Sequence, residues 1–301
     1  MQGRKPRDFV DAYRTPFAVV LGTGEIPSAV AVYLKRAGFS TILSHDPYPP
    51  VIRRSMAFHD ALSEDRATVE EIEGERAEDA MGLMNVLSKP GHVAVTAMGL
   101  VDLIAIRAPS VLVDARMQKH RVNHDLRVAP LAVGLGPNFQ VGVNCDIAVE
   151  TRPSRNGRLV TIGSTEPADG VASLLGGLGK ERFVYSEQAG IWRTAIEIGA
   201  RVYKGVLIGR LGDQPVHAPI DGVLRGSVRD GSPVPGRVKL IEIDPRGRNA
   251  QWTGIDERSR SIAIATLKAV RLKQGLPSLA HARPMPIPAD AIPTEAKPWR
   301  A

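Results

Sequence analysis

The residues whose types and spacing could do chemistry begin with a glycine turn. Gly22-Thr23-Gly24 closes a short apolar run over residues 17–21 and opens a helical pattern carrying Ile26, Ala29, Val30, Val32, Leu34 and Ala37. In such a turn the first glycine permits a tight reversal. The second lets backbone N–H groups approach a phosphate without an intervening Cβ, and the helix N-terminus adds partial positive charge. Asp46 follows 22 residues after Gly24, at the end of the next apolar run. A carboxylate there can accept hydrogen bonds from a ribose. The fingerprint is incomplete: Ser28 or Ala29 stands near the third glycine's place, and Glu25 would repel a phosphate. A turn of this kind also serves simply to pack a helix on a strand, and both readings stay open.

Three further groups could meet an anion. Arg53 and Arg54 follow the stiff Pro47-Tyr48-Pro49-Pro50 loop and could hold an anionic ligand, or form a solvated, ion-paired face. Arg116, Lys119, His120 and Arg121 follow an apolar run, where open α/β sheets bind ligands; an exposed charged helix start would look the same. Gly134, Gly136 and Asn138 form a second glycine loop, a candidate cradle for an anion or a pterin through backbone N–H groups. Cys145 reads as a small buried hydrophobe, and no histidines, cysteines and carboxylates stand at metal-ligand spacing, so no metal site is expected.

These groups need elements to position them. Residues 17–21, a glycine turn, residues 26–37 and residues 40–43 read as strand, turn, helix and strand, a βαβ unit. Further strands are expected at 92–95, 111–114, 130–134 and 146–151, with helices over 51–62 and 77–87. Residues 17–180 are thus expected to form a Rossmann-like α/β ligand-binding domain. The second half holds an internal repeat: Gly190, Gly199, Val202 and Ile208 recur as Gly222, Gly231, Val234 and Leu240, always 32 residues on. Each copy reads as strand, glycine turn, strand, and two copies together hide edges that one would expose. The fold class is therefore α/β, with a small C-terminal β-barrel over residues 181–248, then a C-terminal helix over 249–275. A Pro-rich tail over 276–301 is expected to be disordered, and residues 1–16 form a basic N-terminal extension.

Composition narrows the function classes. The chain has 301 residues, 43% hydrophobic and 5% aromatic, enough for an aliphatic core in more than one domain. Its net charge of +7 includes no Lys/Arg run with interleaved aromatics, so nucleic acid is not expected as a partner. One cysteine allows no internal disulfide. There is no signal-like start and no apolar run of about 20 residues, so no membrane partner is expected and the cytoplasm is the expected location.

Two resemblances add to this. The repeat resembles biotinyl/lipoyl-type barrels, of the barrel-sandwich hybrid kind. Carriers of that type hold a lysine in the hairpin between the copies; here the hairpin over residues 211–215 has none, so no covalent biotin or lipoate is expected. Over residues 17 to about 247, the segments GTGEIPSAVAVYLKRAGF, PYPPVIRRSMAF, VLVDARMQK, APLAVGLGPNFQVGVNCDIAVET, HAPIDGVLRG and VKLIEIDPRG together resemble the selenium-dependent molybdenum hydroxylase system proteins, the YqeB-like accessory family. The resemblance implies a maturation factor for a molybdenum hydroxylase of the xanthine or CO dehydrogenase type, binding molybdenum cofactor (molybdopterin or its nucleotide form) or a precursor for insertion. An apo-hydroxylase would be its partner, and a small anionic or nucleotide-like ligand would sit on Gly22, Gly24, Asp46, Arg53, Arg54, Gly134, Gly136 and Asn138. The sequence departs from the family pattern twice: the histidine of an Arg-Gly-His element is missing after Arg152, and Asn138 replaces a glycine. Two rival readings stand beside this one, an NAD(P)-dependent oxidoreductase and a non-catalytic adaptor docking on a hydroxylase subunit. Whether any reaction is catalysed, which hydroxylase is served, whether selenium is involved and whether the chain forms a homo-oligomer are open at this stage.

Overall fold

The computed structural model describes residues 15–119 and 124–274. The expected extension (save residues 15 and 16) and tail, with His120 and Arg121, lie outside the described residues. The described residues form a mixed α/β protein with one nine-stranded sheet and two four-stranded antiparallel sheets.

The large sheet grows from the glycine-turn unit. Strand β1 (Phe17–Leu21) leads through the turn into α1 (Glu25–Arg36) and back to β2 (Ser40–Ser44), which pairs parallel to β1. It continues with β3 (Arg66–Val69), β4 (Ile72–Arg76), β5 (His92–Thr96), β6 (Val111–Asp114), β7 (Leu131–Leu135), β8 (Ile147–Val149) and β9 (Leu159–Val160). The order is β3-β4-β5-β2-β1-β6-β7-β8-β9; only the outermost strands run antiparallel to their neighbours. The order reverses at β1, whose two neighbours are β2 and β6. Alternate residues of β1 serve opposite faces, as a strand's period of two requires. Ala18 and Val20 pack with α1 and with the C-terminal helix α5 (Glu257–Gln274). Phe17, Val19 and Leu21 pack with α3 (Ala80–Leu87) and α4 (Leu100–Ile106) on the other face. Burial on both faces is why these parallel strands read as continuous apolar runs rather than alternating ones.

The repeat becomes two sheets, in the orders β10-β17-β15-β12 and β14-β13-β11-β16. Strands β10 (Phe183–Tyr185), β11 (Gly190–Arg193), β12 (Arg201–Val202) and β13 (Leu207–Leu211) have counterparts in β14 (Gln214–His217), β15 (Gly222–Ser227), β16 (Pro233–Val234) and β17 (Lys239–Asp244). Each sheet is therefore built from both copies. Trp192, Ile208, Leu224 and Leu240 belong to one apolar cluster shared by the two sheets. Among the described residues no strand pairing joins the sheets into the closed barrel expected from sequence.

One local expectation changes. Residues 51–62 do not form one helix: a 3₁₀ turn at Arg54–Met56 and a short α2 at Ala61–Glu64 take their place. The segment serves instead as a tie between the halves. Ile52 joins the core of the small sheets, and its carbonyl accepts from the Ser227 amide at 2.8 Å. The polar stretch over residues 66–76 is the β3–β4 hairpin at the sheet edge.

Candidate functional site

A cleft of about 560 Å³ opens where the sheet order reverses, lined by the glycine turn, the loop after β6, the segment following β8, and side chains from β15, β17 and the start of α5. Open α/β sheets place ligands at this kind of point, beyond the carboxyl ends of the strands.

The glycine turn lies on its floor. Gly22 has φ +104°, and a Cβ there would meet Pro27 Cγ at 2.9 Å, so backbone and packing both require glycine. Gly24 differs. Its φ of −73° suits any residue, and a Cβ would meet only Val51 Cγ2, at 3.9 Å. Packing does not demand glycine there; the space it leaves belongs to the cleft. Gly24 is also the N-cap of α1, where no side chain caps the first amides. An uncapped helix start leaves N–H groups available to an anion. The turn is held from behind: Thr23 Oγ1 lies 2.9 Å from His59 Nδ1 and 3.2 Å from His45 Nδ1. Burial, with the neighbouring His45, Arg54 and Arg229, pushes His59 down to about 4, and burial also lowers His45.

Arg53 is the hinge of the opposite wall. Its guanidinium donates to Glu25 Oε1 at 2.8 Å, and to Glu242 Oε2 and Oε1 at 2.6 and 3.1 Å. Glu25, which by sequence would repel a phosphate, is thus neutralised. Glu242 on β17 is fully buried and also accepts from Arg182 at 2.6 Å, with Arg225 Nε 3.6 Å away. Arg225 reaches Asp256, the residue preceding α5, at 2.5 Å. These pairs link α1, the small sheets and α5 across the cleft.

The other sequence-predicted residues fall differently. Asp46 lines the cleft, accepts from Gln118 Nε2 at 2.6 Å and has Arg116 Nη1 at 3.7 Å. Arg54 is not among the lining residues; it bonds Asp60 and the Ser227 carbonyl, at 2.5 and 3.0 Å. Gly134, Gly136 and Asn138 do not line the cleft either, although Pro137 between them does. Phe139 fills the space beside Gly134, where a Cβ would lie 2.1 Å from its ring. Asn138 has φ +67°, and its Nδ2 donates to the Lys119 carbonyl at 3.3 Å. Asparagine tolerates this left-handed conformation better than most residues, so the departure from glycine keeps the turn. Arg152 pairs with Glu166 and with Asp169 at the cleft's edge. Cys145 is buried, and burial pushes its thiol up to about 12, consistent with a packing role.

Sequence reasoning missed Arg182, Arg225, Lys239, Glu242 and Arg258, all of which line the cleft. They come from the repeat and the C-terminal helix, parts read as a covering module rather than as walls. Away from the cleft, Glu73, Glu75 and His92 are close enough to share a metal ion, yet Lys89 is ion-paired with Glu75 and Arg66 lies 3.1 Å from Glu73. No helix among the described residues is long and apolar enough to cross a membrane.

Comparison with known proteins gives one informative relative. The chain is 31% identical over 255 residues to the uncharacterized protein YqeB of Escherichia coli (strain K12), an alignment covering 84% of this chain and 47% of YqeB. The chain thus spans about half the length of that relative. No family model matches. Among solved structures, the product-bound ectoine utilization protein EutE (DoeB) from Ruegeria pomeroyi aligns at a TM-score of 0.26 and 13% identity, covering 77% of this chain and 85% of that one. Its apo form aligns at 0.22 and 11%, covering 77% and 86%. Likenesses this slight carry no argument.

Proposed function

We propose that the chain is an accessory factor for a molybdenum hydroxylase of the xanthine or CO dehydrogenase type, holding molybdenum cofactor or a precursor for insertion. The supporting observation is the cleft at the reversal of the sheet order, with glycine left at position 24 where the fold does not need it. In this reading the Rossmann-like half supplies the turn and the uncapped start of α1, and the barrel-sandwich-type half supplies the facing wall.

The residues fit an anionic pterin ligand by their donor chemistry. A volume near 560 Å³ lies within the ~300–1,000 Å³ usual for small-ligand sites. The backbone amides at the start of α1 and the cationic side chains of β17 and α5 would meet the phosphate. Asp46, steadied by Gln118 and Arg116, would stand at the rim for a nucleotide's hydroxyls if that form is bound. The cofactor, when bound, supplies the metal chemistry; this chain's residues bind, orient and shield it until an apo-hydroxylase receives it.

The test is co-elution of molybdenum cofactor with the purified chain, with nicotinamide nucleotides run in parallel. Cofactor retained by the wild type and lost from Gly24→Ala supports the reading. Retention of nicotinamide nucleotides alone would replace it with an oxidoreductase, and retention of neither would leave a non-catalytic adaptor.

A further inference from the structure

Most charges in the cleft are matched. Glu25 has Arg53, Glu242 has Arg53 and Arg182, and Asp256 has Arg225. Two cations on the same wall are not. Lys239, on β17, makes no ion pair and no hydrogen bond from its ammonium among the described residues; its Nζ lies 3.8 Å from the centroid of the Phe183 ring. Arg258, in the first turn of α5, donates to the Thr151 carbonyl at 3.1 Å, but among the described residues its buried Nε has no partner and no carboxylate pairs with it. Buried guanidinium donors are rarely left unmatched, because an unmade bond costs its full desolvation. Both side chains line the same cleft as Glu25, Arg53 and Glu242, the ion-paired groups beside the uncapped start of α1, and lie within their electrostatic reach.

We propose that Lys239 and Arg258, with the first amides of α1, form the seat of a phosphoryl group. This deepens the functional reading above and rests on it: it assigns the ligand a phosphate and places that phosphate between the large sheet, β17 and α5. It also moves the anion's holders away from Arg53 and Arg54, which are occupied in holding the fold. A ligand seated there would draw together three parts of the chain, and it would give Lys239 and Arg258 the direct anionic partner that neither has among the described residues.

The seat has a proton signature. Burial, with repulsion from Arg53 and Lys119, pulls Lys239 down to about 8, while Glu242 and Glu25 oppose the fall. A phosphate beside the amine favours its charged form, so binding takes up a proton near pH 8. If the bound amine returns to an ordinary lysine value, affinity should fall about eightfold between pH 7.5 and 9.

Inorganic phosphate and pyrophosphate are the probes, titrated calorimetrically into the wild-type chain and into Lys239→Met, Lys239→Arg and Arg258→Met. Circular dichroism checks that each variant is folded. The expected result is at least a tenfold loss of affinity in Lys239→Met and Arg258→Met. Lys239→Arg should keep most of the affinity but lose the slope with pH. Unchanged affinity in both methionine variants, or no binding of either probe to the wild type at millimolar concentration, would overturn the seat. If the seat fails while molybdenum cofactor still binds and Gly24→Ala still abolishes it, the functional reading survives and only the placement of the phosphate falls. If the probes bind as expected and the cofactor does not, the phosphate site stands and the cofactor assignment falls.

Discussion

Replacing Glu242 by glutamine probes how the two halves are held together. Its carboxylate is fully buried and receives three N–H bonds, two from Arg53 and one from Arg182. After the change Arg53 keeps Glu25, and Arg225 keeps Asp244 and Asp256. Arg182, with its side chain 3% exposed, keeps the carbonyls of Ser173 and Leu178 and at most the amide oxygen of the new glutamine, but no carboxylate. Removing one partner of a buried pair typically costs ~3–5 kcal/mol, and with only one arginine stripped of its carboxylate the lower end, about 3 kcal/mol, is expected. Adding Arg182→Met removes the stranded charge, so the double variant should be more stable than the sum of the single losses by at least about 1 kcal/mol. Urea unfolding followed by the emission of Trp192, which is buried in the same cluster as Ile241 and Ile243, reads both quantities. A Glu242→Gln loss below about 1 kcal/mol, or strict additivity with Arg182→Met, would refute the view that this ion cluster fastens the small sheets to α1.

The remaining predictions are these. Gly22→Ala should destabilise the fold by roughly 1–3 kcal/mol, since its φ of +104° and the contact with Pro27 both oppose a side chain, whereas Gly24→Ala should leave the thermal midpoint unchanged. His59 is held neutral in the fold with its pKa lowered to about 4, so the unfolded chain binds its proton first as pH falls below 6.5. Stability should decline through that window, by about 2 kcal/mol from this group at pH 5, and His59→Gln should flatten that part of the denaturation profile. Asn138→Ala should cost about 1 kcal/mol in a chemical melt while Asn138→Gly stays close to wild type, because φ +67° penalises a Cβ without a compensating local hydrogen bond.

Much of the large sheet could be read from sequence because its signals are local. An apolar run, a glycine turn and a periodic helix sit within residues 17–43, and β1, α1 and β2 form there. The helix expected over 249–275 forms over 257–274 and was legible for the same reason: apolar residues repeat densely and dock on α1. The 32-residue repeat was legible as strand, glycine turn, strand in each copy, but each copy supplies four strands, and the expected barrel closure is absent among the described residues, since sheet partners lie far apart in sequence. Residues 51–62 misled because their apolar spacing suits a helix, while their packing is set by the small sheets, through Ile52 and Ser227.

The site was half legible. Gly22, Gly24, Asp46 and Arg53 do line one cleft. Arg54 had the right chemistry and the wrong direction, something spacing cannot resolve for adjacent residues. The second glycine loop owes Gly134 to Phe139, a close approach that looks in sequence like a ligand cradle. Lys239, Glu242 and Arg258 gave no signal of their own. Each is an ordinary charged residue until the fold brings β17 and α5 against the glycine turn, and a charged residue at an otherwise inward strand position was the one available hint.

The most direct measurement is the equilibrium binding of molybdenum cofactor to the wild-type chain and to Gly24→Ala, on protein shown to be equally stable. Because the fold does not need glycine at position 24, the account predicts that the added methyl costs no stability yet lowers cofactor affinity by at least tenfold. Equal affinity in the two proteins, or no cofactor binding by the wild type, would contradict it.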